Sequence, residues 1–363
     1  MQPTPSQTAP WLGWQQAWFE ESLANAAKLA RIPAILEKAQ RVKKGATPSD
    51  IVYSEDRLVL RHYPTGEQPR SKTPLILVFA LVNRPYILDL KPGRSVVEHF
   101  VKRGFDTYLV DWGKPGPEDH TLTLDDYVNG YLLRVVDHVR KRTGSKQVSI
   151  LGYCMGGTMS AMFTALHPDR VKNFMLLAAG IDFSPRDGLL SLWSRPEYFD
   201  VDKFVDAFGN CPAEFLQNSF LLLRPVQNLL EKPVNFFERM DDEAFVDDFL
   251  TMETWLNDNI PVPGEVYRSF IKNLYQQNLL VQNRMPVGRH IVNLRNITCP
   301  VLNIMARADD LVPCTQSMPF NDLVGSTDRK VIMLDAGHIG LAIGGKAQKE
   351  VWPPACDWLA ARS

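Results

Sequence analysis

The chain has 363 residues, 45% hydrophobic and 22% charged, enough for about two domains or one large α/β domain with an insertion, and too apolar to be mainly disordered. Lys and Arg number 40 against 41 Asp and Glu, a net charge of −1, which supplies no field for wrapping nucleic acid or an anionic membrane. The five cysteines, at 154, 211, 299, 314 and 356, lack C-x-x-C spacing. That argues against a disulfide framework or a metal site and fits a reducing, cytoplasmic compartment. The first ten residues are polar and proline-rich, without an apolar signal core.

Residues 11–44 read as helical, with Trp11, Trp14 and Trp18 on one face and Pro33 dividing the stretch. Such a face suits a helix packed on the main domain, or a surface that docks a partner or an apolar body. Arg57–Tyr63 alternates as an edge strand. A repeating pattern follows: strand Leu75–Val82, helix Ser95–Arg103, strand Asp106–Trp112, helix Leu124–Arg142, strand Gln147–Tyr153, helix Gly157–Leu166 and strand Val171–Ala179. Alternation of this kind predicts a parallel sheet with helical crossovers. The charge-free run Val148–His167 is long enough to span a bilayer. Its glycines and the β-type residues before them read instead as a strand turning into a helix, so no transmembrane segment is expected.

The alternation stops near Asp182. Residues 183–295 are aromatic, acidic and helical, and strands return at Pro300–Met305 and Lys330–Leu334 before a last helix near Val351–Ala361. The expected organisation is an N-terminal helical segment (1–45), an α/β core in two parts (46–182 and 296–363) and a cap between them (183–295).

The chemistry centres on Gly152-Tyr153-Cys154-Met155-Gly156-Gly157, which has the form of a nucleophile elbow with cysteine as the nucleophile. A strained turn needs glycines where strand and helix approach closely, and the helix N-terminus favours a thiolate and an oxyanion. An elbow predicts a later acid and then a histidine, each following a strand. Asp309 follows PVLNIM and His338 follows KVIML. Asp310 is the alternative acid, and Asp335 reads as a strand-end cap. The oxyanion donors are expected to be the Met155 N–H and the N–H of Val82 or Asn83. A cysteine nucleophile suits acyl exchange between thiols, hence a coenzyme A thioester donor.

With these motifs in place, the sequence resembles the polyhydroxyalkanoate synthases, in particular the short catalytic subunits of the two-component types (class III and class IV). The likeness is carried by residues 79–113, LGYCMGGTMSAMFTALHP at 151–168, VDAFGNCP at 205–212, residues 260–281 and AGHIGLAIGG at 336–345. The resemblance implies an α/β-hydrolase fold with a large helical cap. It also implies polymerisation of short-chain (R)-3-hydroxyacyl-CoA into polyester with release of coenzyme A. Cys154 would carry the chain, His338 deprotonate it, and Asp309 orient His338 or activate the incoming hydroxyl. No cofactor is implied, coenzyme A being only a leaving group. The implied setting is a cytoplasmic granule surface, with a homodimer of the catalytic subunit and a small accessory subunit. Many relatives carry Asp-His where this chain has Asp309-Asp310, a departure that bears on rate and substrate range. The rival readings are a cysteine-dependent hydrolase, such as a thioesterase or dienelactone-hydrolase-like enzyme, and a non-catalytic granule scaffold. Neither a phosphate-cradling loop nor a dinucleotide fingerprint is present.

Overall fold

The structure, a computed structural model, describes residues 10–66 and 71–363, with side chains from residue 18 onward. Two helices open the described chain, α1 (Pro10–Ala30) and α2 (Ile32–Gln40), and the break falls at Arg31 because Pro33 occupies the first turn of α2. Eight strands then build one sheet: β1 (Asp50–Glu55), β2 (Leu58–Tyr63), β3 (Leu75–Val78), β4 (Thr107–Asp111), β5 (Val148–Tyr153), β6 (Val171–Leu177), β7 (Val301–Ala306) and β8 (Arg329–Leu334). Across the sheet they lie in the order β1-β2-β4-β3-β5-β6-β7-β8. The β1–β2 and β2–β4 pairs are antiparallel, and every pair from β4 to β8 is parallel.

Strands β3, β5 and β7 are buried along their whole length, as covered parallel strands require. Each Leu or Ile fully buried there stabilises the fold by roughly 1.5–3 kcal/mol. Helix α3 (Val96–Lys102) is capped by Ser95, whose hydroxyl accepts the Glu98 N–H at 2.9 Å. Helix α4 (Leu133–Thr143) ends at Gly144, at φ 69°, the left-handed cap that glycine adopts without strain. A π-helical turn, Asp126–Leu132, precedes α4, so the stretch expected as one helix from Leu124 is not uniform. Helix α5 (Met155–Leu166) is buried from Met155 through Ala165. Together β5 and α5 account for the charge-free run of residues 148–167. Among the described residues no helix is long and apolar enough to cross a membrane.

Two strand expectations need correction. Residues 57–63 do not form the sheet edge, because β1 pairs beyond β2. β1 is largely exposed, so its sequence carries little apolar alternation. The run Leu75–Val82 leaves the sheet after Val78. Its second half is apolar because it forms the buried turn over the elbow, where the Phe79 carbonyl accepts the Trp112 indole N–H at 2.9 Å.

The long connection between β6 and β7 is mainly helical, including Val201–Phe208, Ala213–Leu221 and Gly264–Ser269. Val201, Val205 and Ile271 form its buried centre, with Phe199, Phe204, Tyr267 and Tyr275 packed around them. Arg268 holds the pieces together through Asp202 at 2.8 Å and Asp206 at 2.6 Å. By contacts the chain divides into two units, residues 44–223 with 255–363, and residues 1–43 with 224–254. Within the smaller unit Arg31 reaches Asp241 at 3.0 Å and Glu243 at 2.7 Å, and Lys38 reaches Glu243 at 3.1 Å and Asp247 at 2.5 Å. Trp18 is 65% exposed on α1; the side chains of Trp11 and Trp14 lie outside the described residues.

Candidate active site

The turn from β5 to α5 is as tight as the sequence spacing demands. Cys154 sits at φ 56° and ψ −131°, a region that costs an ordinary residue on the order of 1–3 kcal/mol. Its N–H donates to the Leu177 carbonyl at 2.9 Å, and its carbonyl accepts the Gly157 N–H at 2.8 Å. The flanking glycines permit this. A Cβ on Gly152 would stand 2.5 Å from Gly157 Cα, one on Gly157 would stand 2.5 Å from the Ala179 Cβ, and one on Gly156 would strike the Phe79 carbonyl. The strain therefore rests on close backbone packing from three sides. Cys154 is left at the tip of the strand, at the start of α5, where the first N–H groups of a helix have no partner within it.

Asp309 and His338 come to the same place from the ends of β7 and β8. Asp309 Oδ1 accepts the N–H groups of Leu311 at 3.0 Å and Val312 at 2.8 Å. Its other oxygen, Oδ2, lies 2.7 Å from His338 Nδ1. The Asp309 side chain is 1% exposed and that of His338 is 11% exposed. With Nδ1 engaged, the imidazole turns Nε2 toward the Cys154 sulfur, which is within hydrogen-bonding reach. Burial alone would lower the histidine's affinity for its proton, but the charges of Asp309 and Cys154 outweigh it and hold His338 up at about 10. The site thus favours a protonated imidazole beside the cysteine, and a positive charge there supports attack by sulfur.

Asp310, the alternative acid, is exposed and lines a second pocket with Asp187, Arg307 and Cys314, to which Asp309 also contributes. Asp335 is on the surface, 3.1 Å from Arg307. His62 pairs with Asp106 at 2.7 Å, His99 with Gln348 at 3.0 Å and His167 with Asn129 at 2.7 Å, all away from the elbow.

A cavity of about 160 Å³ opens above Cys154, lined by Val82 and Met155 and roofed by aromatic side chains such as Phe199, Tyr267 and Phe270. Val82 thus shares the cavity wall with the start of α5. The Asn83 side chain instead turns away, donating to Asn259 Oδ1 at 2.9 Å. Two tyrosines that the motifs do not mark also belong to the site. The Tyr153 ring stacks on His338, and its hydroxyl donates to the His338 carbonyl at 3.1 Å. Tyr275 lines the cavity, and burial, reinforced by the charges of Cys154 and Asp309, pushes its hydroxyl well above its ordinary value. Tyr153 adjoins the nucleophile in sequence and could have been flagged on that ground; nothing in the local pattern marks Tyr275.

The sheet, the cysteine elbow and the acid and histidine after consecutive strands define an enzyme of the α/β-hydrolase fold. Residues 74–344 match the family model for that fold. Solved structures agree on the fold: a monoacylglycerol lipase of Paleococcus ferrophilus (13% identity, 85% of this chain and 100% of that one, TM-score 0.51) and a thermophilic esterase of Thermogutta terrifontis (14% identity, 87% and 100%, TM-score 0.50). Residues 37–100 match the N-terminal model of the poly-beta-hydroxybutyrate polymerases, PhaC. The chain is 44% identical to the poly(3-hydroxyalkanoate) polymerase subunit PhaC of Haloferax mediterranei over 96% of its length and 70% of the relative's. It is 42% identical to the PhaC subunit of Allochromatium vinosum over 94% and 97% of the two chains. The chain belongs to the poly(3-hydroxyalkanoate) polymerase family.

Proposed function

We propose that the protein polymerises short-chain (R)-3-hydroxyacyl-CoA, such as 3-hydroxybutyryl-CoA, into polyester through a covalent Cys154 acyl-enzyme, releasing coenzyme A. The observation that carries this reading is a cysteine, rather than a serine, on the elbow, engaged by the His338–Asp309 pair beneath an apolar cavity. His338 takes the Cys154 proton, and the sulfur attacks the thioester carbonyl carbon. The resulting oxyanion is held by the N–H groups of Met155 and Val82. As the carbon–sulfur bond to coenzyme A breaks, His338 returns the proton to the departing thiolate. The 3-hydroxyl of the next unit then gives its proton to His338 and attacks the acyl-Cys154 carbonyl. The carbon–sulfur bond to Cys154 breaks, the sulfur takes the proton back from His338, and the chain, one ester longer and now a coenzyme A thioester, reacylates Cys154. Asp309 orients His338 throughout, and no cofactor takes part.

Water is the competing acceptor. The aromatic roof supports polymerisation because it keeps the acyl-enzyme dry, and the cavity's small size supports a short acyl chain. In this reading residues 183–295 act as a cap and residues 1–45 as an N-terminal helical segment. The resemblance to two-component enzymes, and the naming of the relatives as subunits, support a small accessory partner. A homodimer at a cytoplasmic granule surface, contacted through the Trp18 face, completes the proposal.

Mass spectrometry of protein quenched in acid after mixing with a 3-hydroxybutyryl-CoA analogue that lacks the 3-hydroxyl tests the covalent step. The reading requires one acyl adduct on the peptide carrying Cys154, discharged by hydroxylamine. An adduct elsewhere, or turnover with the cysteine replaced, contradicts it.

A further inference from the structure

Beside the catalytic cavity lies a larger one of about 360 Å³ and opposite character. Its floor is one face of the β2–β4 pair, where Arg61 lies opposite Leu109, with Tyr63 and Asp111 further along. Of its carboxylates, Asp111 is held by Arg84 at 3.0 Å and Asp258 by Lys44 at 2.6 Å. Asp89 is taken up by the N–H of Thr47 at 2.8 Å and the hydroxyls of Thr47 at 2.8 Å and Ser95 at 2.7 Å. Arg61 and Lys114 remain, both lining the cavity and neither with a carboxylate partner among the described residues. A half-buried guanidinium without a counter-ion is destabilising, and an anion relieves it. Phosphate suits Arg61 in particular, since a guanidinium takes two phosphate oxygens at once. Tyr86, with the Lys44 ammonium 5.8 Å from its ring centre, adds a flat aromatic wall suited to a stacked base.

The two cavities share a wall. Val82 lines the catalytic one and Arg84 the polar one; Val262 and Ile260 divide in the same way. Two residues of extended chain span roughly 7 Å, and the Asn83–Asn259 hydrogen bond joins the two wall segments. We infer that the polar cavity takes the phosphate-bearing nucleotide end of the thioester donor against Arg61 and Lys114, while the donor's arm crosses the wall to bring the acyl carbon to Cys154. This rests on the acyl-transfer reading above. It assigns specificity for the carrier to a place separate from specificity for the acyl chain.

The test measures, on the full chain, calorimetric binding of adenosine 3′,5′-bisphosphate and of inorganic phosphate. It also measures KM for 3-hydroxybutyryl-CoA relative to that for the N-acetylcysteamine thioester, which lacks the nucleotide. Arg61→Ala and the exposed Lys114→Glu, which leaves the strand intact, are compared with wild type. The expected result is bisphosphate binding weakened about tenfold in each variant and a KM ratio raised by about the same factor. Bisphosphate binding equal to wild type in both variants, or an unmoved ratio, overturns the inference. So does inorganic phosphate binding as tightly as the bisphosphate, which would make this a simple anion site. If wild type turns over neither thioester yet binds the bisphosphate, and the variants do not, the site stands and the polymerase reading falls.

Discussion

The Tyr153 ring lies 5.0 Å from that of His338, centre to centre and inclined by only 22°, while the Tyr153 hydroxyl donates to the His338 backbone carbonyl at 3.1 Å. One fully buried side chain, next to Cys154 in sequence, therefore holds His338 both by its ring and by its main chain. Tyr153→Phe keeps the stack and removes the hydrogen bond, worth about 1 kcal/mol. The expected outcome is a fall in kcat of up to about tenfold with KM nearly unchanged, whereas a change confined to KM would place Tyr153 in substrate binding instead.

The His338–Asp309 pair makes stability depend on pH in a definite direction. His338 is held at about 10 against an ordinary 6.5, so between these values the folded chain retains a proton that the unfolded chain has lost. Its stabilising contribution is complete below about pH 6.5 and is lost as the pH rises through about 10. Denaturant unfolding of wild type and Asp309→Asn across this range should show a decline in wild type that is much flatter in the variant. Asp309→Asn should also lower kcat by about 10³–10⁴-fold. A steeper alkaline decline in the variant would reverse the assignment.

The glycine packing around the elbow predicts a stability effect as well as a catalytic one. A methyl group on Gly157 would meet both the Ala179 Cβ at 2.5 Å and the Gly152 carbonyl oxygen at 2.7 Å. Gly157→Ala should destabilise the chain by about 1–3 kcal/mol. Gly345→Ala, with nothing within 4 Å of the added carbon, should have little effect. Melting temperatures of the two variants, measured side by side, decide the matter.

Phe270 lines the catalytic cavity and meets Phe183 edge-on at 6.0 Å. Phe270→Ala lengthens the space available to an acyl chain. The ratio of kcat/KM for the six-carbon over the four-carbon substrate should rise about tenfold, the discrimination typical of one or two methylenes in an apolar pocket. An unchanged ratio would mean that the acyl chain lies elsewhere.

What the sequence made legible follows from where a residue's demands are local. Gly152, Gly156 and Gly157 are dictated by a single turn, and Asp309 and His338 by their places just after apolar strand runs, so these positions could be read in order along the chain. Tyr275 and the aromatic roof reach the site only through the packing of a long helical connection, which leaves no periodic trace. β1 escaped notice because an exposed edge strand need not alternate, and β3 was read too long because the buried turn after it is as apolar as the strand. Arg61, without a carboxylate partner among the described residues, stands in an alternating strand, but that it faces a cavity depends on the β2–β4 register.

The central claim is that Cys154 carries a growing polyester, and the most direct measurement is coenzyme A release from 3-hydroxybutyryl-CoA with sizing of the acyl product, for wild type and Cys154→Ala. Wild type should release coenzyme A stoichiometrically and form insoluble polyester, and the variant should do neither. Release accompanied only by free 3-hydroxybutyrate would make the protein a thioester hydrolase, and polymer formed by Cys154→Ala would contradict the mechanism outright.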